Sequence, residues 1–300
     1  MSSLPEPRIG IIGGTGLYSL PGATVLQTLE VPTPFGTPSS DVTLVRLPSP
    51  ADSGEGTVVA FLSRHGAGHG TAPQQINYRA NLWAFKSLGV QAVVSSAAVG
   101  GLVTSHRTGS FAVPDQFLDR TWGRHDTFYD GTIAAGVQHL SAADPYNAAL
   151  RGVMLGALET SGDDFTPTAT VAVVNGPRFS TRAESAAMVH AGAHIISMTQ
   201  YPEPVLAAEL NMAFAALAFI TDSDTGHDGS EPVTAETVFG RLAAAQPRIL
   251  AVLSAAVETL AIAMSGPWST ENGGIPGAAA MPPDAVAAIM GAGQSERTGP

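Results

Sequence analysis

The stretch that decides the fold lies at residues 212–224 and reads MAFAALAFITDSD. Its apolar run predicts a buried strand over residues 212–221, which delivers two acids at its end. Two carboxylates two residues apart on a strand point to the same face, roughly 6.5–7 Å apart along it. Open α/β sheets bind ligands at such an edge. We therefore expect Asp222 and Asp224 to form part of a ligand site.

Strands and helices alternate on both sides of this stretch. The sequence predicts further strands at 8–12, 57–62, 91–96, 110–114, 168–174 and 194–197, with a turn at 97–101. It predicts helices at 77–88, 144–161, 181–191, 202–211 and 234–264, the last broken or kinked at Pro247. This alternation predicts an α/β fold with one domain over residues 1–265, a three-layer arrangement in which helices flank a mixed central sheet. Residues 266–300, rich in Gly, Pro and Ala, are expected to form a weakly ordered tail with one short helix near 283–290.

The composition excludes several classes of protein. The net charge of −11 argues against general nucleic-acid binding, which requires a basic surface. The chain has no cysteine, so disulfides and thiolate chemistry are excluded. We see neither a signal peptide at the N-terminus nor an apolar run approaching the roughly 20 residues needed to span a bilayer. A cytoplasmic protein without a membrane partner is therefore expected.

The acid pair itself favours one kind of ligand. A buried carboxylate can accept a hydrogen bond from an amine, and a buried carboxylic acid can donate one to a ring nitrogen. Adenine presents an exocyclic amine beside an acceptor nitrogen, so we expect Asp222 and Asp224 to recognise the base of an adenine nucleoside. Two alternatives are a Mg²⁺ site and a pair of solvated loop acids.

Five other predicted strand ends carry candidate ligand groups. Each has an ordinary structural explanation of its own, as a tight turn, a solvated loop or core packing. Strand ends of one sheet converge, however, so their combination favours a common site. These segments are the glycine turn 13–16, Arg64-His65, the small residues 95–101, Asn175–Arg182 and Met198-Thr199.

Seven motifs together resemble one known family. They are GGTGL at 13–17, RHG at 64–66, NYRAN at 77–81, DQFLDRT at 115–121, GPRFS at 176–180, MT at 198–199 and TDSD at 221–224. In order and spacing they are similar to the trimeric purine nucleoside phosphorylases, and specifically to the 5′-methylthioadenosine phosphorylase branch. The resemblance extends from about Ile9 to about Val238.

The resemblance implies a homotrimer that uses inorganic phosphate as co-substrate and needs neither a metal nor an organic cofactor. It implies a phosphate site made of Thr15, Arg64, His65 and Thr199, with backbone from Ala97 and Ala98. Phe179 would face the purine and Met198 the ribose. His139 matches a histidine that reaches the neighbouring subunit's site, against the 5′ substituent.

Two positions distinguish the branches of the family. Ser180 stands where the 6-oxopurine enzymes have a glutamate, and Asp222 stands where they have an asparagine. Both residues favour a 6-aminopurine, and hence phosphorolysis of S-methyl-5′-thioadenosine, with Asp222 as the general acid and Asp224 helping to hold the amine or to fix Asp222. Ala97 replaces a common threonine of the phosphate loop, and Ala235 replaces a common valine near the 5′ group. The alternatives are a 6-oxopurine or broad-specificity phosphorylase, a hydrolase that uses water, and a non-catalytic relative.

Overall fold

The computed structural model describes residues 6–48, 56–66 and 68–292. Within these residues the strands are β1 (Ile9–Gly13), β2 (Thr24–Leu29), β3 (Val42–Leu47), β4 (Thr57–Ser63), β5 (Ala92–Gly101), β6 (Phe111–Ala112), β7 (Gln116–Arg120), β8 (Phe165–Thr166), β9 (Thr170–Val174), β10 (Ile195–Ser197) and β11 (Ala213–Asp222). The helices are α1 (Tyr78–Ser87), α2 (Ala148–Ser161), α3 (Arg182–His190), α4 (Glu203–Glu209), α5 (Ala235–Ser265) and α6 (Pro283–Gly291).

The central strand β11 is buried along its whole length. Alternate side chains point to opposite faces of a strand. On one face Phe214 and Ile220 join an apolar cluster with α1 and α4, and on the other Leu217 and Phe219 join a cluster with α2 and α5. Both faces of the sheet are therefore covered by helices. The predicted three-layer α/β fold is confirmed.

The sheet is mixed, with the strand order β2-β3-β4-β1-β5-β10-β9-β7, and β11 pairs with β5. β1 is parallel to both β4 and β5, whereas β10 is antiparallel to β5 and parallel to β9. β11 runs parallel to β5 over residues 213–222. The ends of these strands lie side by side near the middle of the sheet, and the candidate site lies there.

Two local predictions near this site are wrong. Residues 97–101 do not turn, because β5 continues through them and pairs with β11 and β10. The small side chains there allow a central strand to pass between close neighbours. Asp224 is not on a strand, because β11 ends at Asp222 and the backbone of Asp224 is left-handed, with φ = 49°.

Residues 266–292 differ from the weakly ordered tail that the sequence predicts. Trp268 and Ile275 pack against the cluster on one face of the sheet, while Val286 and Ile289 of α6 belong to the cluster on the other. The Trp83 indole donates to the Ile289 carbonyl at 3.3 Å. A few well-placed apolar residues are enough to fix this segment, and the short helix near 283–290 is confirmed. Residues 293–300 lie outside the described part.

Helix α5 is continuous through Pro247, so the predicted break is absent there. Among the described residues it is also the one helix whose length and composition would allow it to cross a membrane. Ile262 is exposed, but Leu242, Leu253 and Leu260 are buried in the core cluster shared with α2. This is the packing of a core helix.

Candidate functional site

A cavity of about 240 Å³ opens where β5, β10 and β11 end. All but two of the site residues predicted from the sequence line it, drawn from seven separate segments of the chain. The predicted residues that line it are Thr15, Arg64, His65, Ala98, Phe179, Ser180, Met198, Thr199, Asp222, Asp224 and Ala235.

The acid pair is buried at one end of the cavity. Asp222 is 6% exposed and Asp224 is 3% exposed. Asp222 Oδ1 accepts the backbone N–H of Asp224 at 2.9 Å, and Asp222 Oδ2 lies 2.7 Å from the Thr221 hydroxyl. The left-handed turn thus brings Asp224 back against Asp222, and Asp224 Oδ2 accepts from the hydroxyl of Ser185 on α3. The two carboxyl groups share the cavity although they do not share a strand face.

Burial raises the pKa of both acids. For Asp222 the neighbouring Asp224 charge raises the pKa further, while the hydrogen bonds from Thr221 and Asp224 oppose the shift. For Asp224 the Ser185 hydroxyl is the main opposing influence on the pKa. An acid that keeps its proton above its ordinary range can act as a hydrogen-bond donor or general acid.

Arg64 lies beside Ser96 of β5, whereas Asp222 lies beside Gly100 of the same strand, so the two side chains are separated along the cavity. Arg64 is held by an ion pair that the sequence did not indicate. Its Nε and Nη2 donate to the two carboxylate oxygens of Glu203 at 2.5 and 3.0 Å. Nη1 donates to the Ser96 carbonyl at 2.9 Å, and Nη2 donates to the Ser95 hydroxyl at 2.6 Å. Four of the five guanidinium N–H groups are then used, which leaves one on Nη1 for a ligand. Glu203 lies on α4, remote in sequence, so no local pattern indicates this partner.

His65 follows Arg64 at the end of β4, and its tautomer is fixed by a backbone group. Its Nδ1 lies 2.9 Å from the Thr71 carbonyl, which can only accept, so Nδ1 carries the proton. Burial lowers the pKa of His65 to about 4, although the hydrogen bond that its Nδ1 donates to the Thr71 carbonyl acts to raise the pKa. The ring is therefore neutral at pH 7, and Nε2 presents a lone pair.

The glycine turn after β1 approaches its neighbours too closely for a side chain. A Cβ at Gly14 would lie 2.3 Å from the Ser96 carbonyl oxygen and 2.7 Å from Arg64 Nη1. The turn therefore brings the backbone beside Thr15 directly against the guanidinium. This contact places two of the predicted phosphate-binding residues, Thr15 and Arg64, beside each other in the cavity.

The wall between the two ends carries the predicted base and sugar contacts. Phe179 is 39% exposed, so its ring is accessible to a ligand instead of being packed in the core. Met198 packs against Gly176, where a Cβ would lie 2.5 Å from its sulfur. Ala235 is the first residue of α5, and Thr234 caps that helix by accepting the Thr237 N–H. These side chains line the same cavity as the acids and Arg64.

Two predicted site residues lie outside the cavity. Ala97 is 2% exposed and belongs to the apolar cluster on one face of the sheet, because β5 continues as a strand, whereas the following Ala98, Val99 and Gly100 line the cavity. Ala97 therefore does not line this cavity, and a contribution of its backbone to the phosphate site stays a prediction. His139 is exposed on the segment between β7 and α2, and it does not line the cavity of its own chain.

The cavity also contains aromatic residues that the sequence did not single out. Phe239 lies one turn after Ala235 on α5 and meets His69 edge-on, with ring centroids 5.4 Å apart. The His69 ring is also tilted by 39° against the His65 ring, with the centroids 4.4 Å apart. A spacing of four residues on one helix face could have indicated Phe239. No local signal indicates that the loop bearing His69 folds toward α5.

A Mg²⁺ site is the alternative interpretation of the acid pair. Among residues 6–48, 56–66 and 68–292, no group of three or more His, Asp or Glu side chains is placed to hold a metal ion. A carboxyl pair with raised pKa values, set opposite an arginine, a histidine and an open backbone turn, is instead suited to a ligand with a nitrogen heterocycle at one end and an oxyanion at the other.

Comparison with known proteins agrees with this arrangement. The family model of the Phosphorylase superfamily matches residues 8–258. An S-methyl-5′-thioadenosine phosphorylase from Mycolicibacterium smegmatis is 40% identical over 258 residues, covering 85% of this chain and 92% of the relative. A purine nucleoside phosphorylase from Streptomyces coelicolor is 40% identical over 267 residues, covering 87% and 91%. The structure of a methylthioadenosine phosphorylase from Schistosoma mansoni in complex with adenine superposes with a TM-score of 0.79 at 28% identity, covering 97% of this chain and 99% of that one. The chain belongs to the phosphorylase superfamily.

Proposed function

We propose that this chain catalyses the phosphorolysis of S-methyl-5′-thioadenosine to adenine and 5-methylthioribose 1-phosphate. The observation that carries the proposal is the buried acid pair at one end of a cavity whose other end holds Thr15, Arg64 and His65. Relatives from Thermofilum pendens and Saccharolobus solfataricus, each 42% identical, are also S-methyl-5′-thioadenosine phosphorylases.

The phosphate end offers both donors and an acceptor. The remaining Nη1 hydrogen of Arg64, the Thr15 and Thr199 hydroxyls and the backbone beside Ala98 are the candidate donors to phosphate oxygens. The Nε2 lone pair of neutral His65 suits the single P–OH of hydrogen phosphate, which can donate to it. This combination favours phosphate over water as the nucleophile, which argues against the hydrolase alternative.

At the base end, Asp222 is the proposed general acid. As phosphate attacks C1′, the bond to N9 breaks and the departing adenine gains negative charge. Asp222 gives its proton to N7 of the base, and Asp224 accepts a hydrogen bond from the 6-amino group. Such general-acid assistance typically contributes about 10²–10⁴-fold in rate. The bound phosphate dianion stabilises the oxocarbenium character of the sugar.

A 6-oxopurine substrate is the main alternative. A probable 6-oxopurine nucleoside phosphorylase from Thermococcus kodakarensis is 41% identical, so overall identity does not separate the two substrates. Ser180 and Asp222 favour the 6-aminopurine, because the carbonyl oxygen of a 6-oxo group would face an acceptor at Asp224. Sites that bind a polar substrate group can reject a mismatched analogue by about 10⁴-fold.

The proposal also includes an oligomeric state, a cellular location and a cofactor requirement. We expect a cytoplasmic homotrimer that requires no metal or organic cofactor. His139, exposed and outside its own cavity, would contact the 5′ substituent in a neighbouring subunit. Sedimentation of the purified protein checks the trimer. A His139→Ala variant should have a higher KM for methylthioadenosine and an unchanged KM for phosphate. An unchanged KM for methylthioadenosine would argue against a contact between His139 and the 5′ substituent.

The deciding experiment is a phosphate-dependent assay of adenine release with methylthioadenosine, 5′-deoxyadenosine, adenosine and inosine. We expect rapid adenine release from methylthioadenosine only when phosphate is present, and far slower turnover of inosine. Release in phosphate-free buffer would favour the hydrolase. Equal rates with inosine would favour a broad-specificity phosphorylase, and no turnover of any nucleoside would support a non-catalytic relative.

A further inference from the structure

Two neighbouring loops form one wall of the cavity. The first follows β9 and carries Phe179 and Ser180, and the second follows β10 and carries Met198 and Thr199. β9 and β10 are parallel, but their backbone pairing ends at Val173 and Ser197. Beyond that point the ladder no longer fixes the distance between the two loops, so other contacts must do so.

Arg124 joins the two loops through their backbone carbonyls. Its Nη2 donates to Met198 O at 2.8 Å after β10, and also reaches Val174 O at 3.3 Å and Asn175 O at 3.4 Å after β9. Nη1 donates to Tyr201 O, and Nε donates to the Asn175 side chain at 3.3 Å. A single guanidinium is thus surrounded by carbonyl oxygens from both loops.

Arg124 is itself held from the opposite side. Its guanidinium carbon lies 5.4 Å from the centroid of the Tyr78 ring, and Nη1 lies 3.3 Å from the Tyr78 hydroxyl. Tyr78 is buried at the start of α1. Arg124 does not line the cavity, although Val174 and Met198, whose carbonyls it binds, do. The planar fork of arginine suits several carbonyls at once, whereas an ammonium group would bind as a point charge.

We propose that Arg124 is a positioning residue that sets the spacing between the base-side loop after β9 and the sugar- and phosphate-side loop after β10. The inference rests on the proposed function, since it concerns the geometry of that same cavity. Loss of the guanidinium leaves converging carbonyl oxygens without their shared donor, so the two loops move apart. Displacement of a binding wall by about 1 Å can cost on the order of 10²-fold in rate.

The chain offers a matched control in Arg151. Its Nε donates to Pro114 O at 2.9 Å, and its Nη2 donates to Pro167 O at 2.7 Å and Val113 O at 3.3 Å. These carbonyls follow β6 and β8, which are also a parallel pair. Arg151 therefore joins two strand ends as Arg124 does, but none of these residues lines the cavity.

The experiment compares Arg124→Ala and Arg124→Lys with Arg151→Ala and Arg151→Lys, using methylthioadenosine and inorganic phosphate well below each melting temperature. For both Arg124 variants we expect KM for nucleoside and phosphate to rise about 10-fold or more, and kcat to fall roughly 10- to 100-fold. The Arg151 variants should keep all three constants within about twofold, even where Tm falls. If Arg124→Ala does not fold, the KM and kcat values of Arg124→Lys serve as the test of the inference.

Constants for Arg124→Lys that match the wild type, or equal losses in the Arg124 and Arg151 variants, would overturn the inference. Failure of the wild type to turn over methylthioadenosine with phosphate would instead overturn the proposed function. A crystal structure of Arg124→Lys gives a readout independent of activity. The loops after β9 and β10 should be farther apart than in the wild type, and an unchanged spacing would refute the positioning role.

Discussion

At the residue scale, the Thr221 hydroxyl has two acceptors and one proton. It lies 2.7 Å from Asp222 Oδ2 and 3.2 Å from the Val99 carbonyl. When Asp222 is protonated, its carboxyl can donate to Thr221, which in turn donates to Val99. Once the proton leaves, the hydroxyl can turn toward the new carboxylate. Thr221 can therefore satisfy Asp222 before and after proton transfer.

Thr221→Val should lower kcat for methylthioadenosine by roughly 10-fold or more. The variant removes a hydrogen bond to a charged group, worth about 1.5–3 kcal/mol, and about 1.4 kcal/mol corresponds to tenfold in rate. Thr221→Ser keeps the hydroxyl and should retain most of the activity. Steady-state kinetics of the two variants check this, and a serine variant as slow as the valine variant would argue against the hydroxyl's role.

Glu203→Gln should destabilise the protein by about 3–5 kcal/mol, because it leaves the Arg64 guanidinium buried without an opposing charge. Both side chains of this pair are 1% exposed. The control is Asp164→Asn, whose ion pair with Arg107 is 60–70% exposed and should change the free energy of unfolding by less than about 1 kcal/mol. Urea unfolding measures the free energy of unfolding of both variants. A small change in both would contradict the stabilising role of the buried Arg64–Glu203 pair.

At the element scale, the close contact of β5 with β11 positions the acid. Asp222 pairs with Gly100 after a register shift that follows Ile220. A Cβ at Gly100 would lie 2.9 Å from Asp222 Oδ1 and 3.0 Å from Ile196 Cγ2. The absence of a side chain at this position on β5 therefore makes room for the carboxyl group.

Gly100→Ala should lower kcat/KM by about 10- to 100-fold, because the new methyl group displaces the Asp222 carboxylate. Overpacking should also cost roughly 1–3 kcal/mol of stability. Gly152→Ala in α2 is the control, since nothing lies within 4 Å of its added Cβ. It should leave activity unchanged and stabilise the helix by roughly 0.5–1 kcal/mol. Normal kinetics in Gly100→Ala would show that the acid tolerates displacement.

At the scale of the whole molecule, the sequence predicts the layers and most of the site. The apolar run before Asp222 predicts a strand buried on both faces, and the convergence of strand ends correctly groups Arg64, Phe179 and Met198 with it. These inferences succeed because strand periodicity and sheet topology are strongly encoded in local patterns.

The remaining features depend on contacts between distant segments. Glu203 meets Arg64 only after folding, and no spacing rule links positions 139 residues apart. Ala97 does not line the cavity, because β5 continues as a strand where its small residues predict a turn. Residues 266–292 pack on the core through a few apolar side chains in a Gly- and Pro-rich segment whose composition indicates disorder.

The stability of the whole molecule should depend on pH through His65. Its folded-state pKa of about 4 lies below the ordinary 6.5, so the unfolded chain binds more protons between these values. Its contribution is fully present above about pH 6.5 and is lost as pH falls toward 4. The raised pKa of Asp222 acts in the opposite direction, but that contribution is common to wild type and variant.

His65→Gln should therefore flatten the loss of unfolding free energy between pH 6.5 and 4 relative to the wild type, in phosphate-free buffer. Urea unfolding across this range measures the difference between the two proteins. His125→Gln, at an exposed histidine, should leave the wild-type profile unchanged. A His65→Gln profile parallel to that of the wild type would contradict the neutral state assigned to this ring.

The most direct measurement is the single-turnover rate of methylthioadenosine phosphorolysis by Asp222→Asn. An asparagine fits the same space but cannot give up a proton to N7 of the base. We expect the rate to fall about 10²–10⁴-fold, with far smaller changes in nucleoside binding, and turnover of inosine to gain relative to methylthioadenosine. A rate within a few-fold of the wild type would contradict proton donation by Asp222.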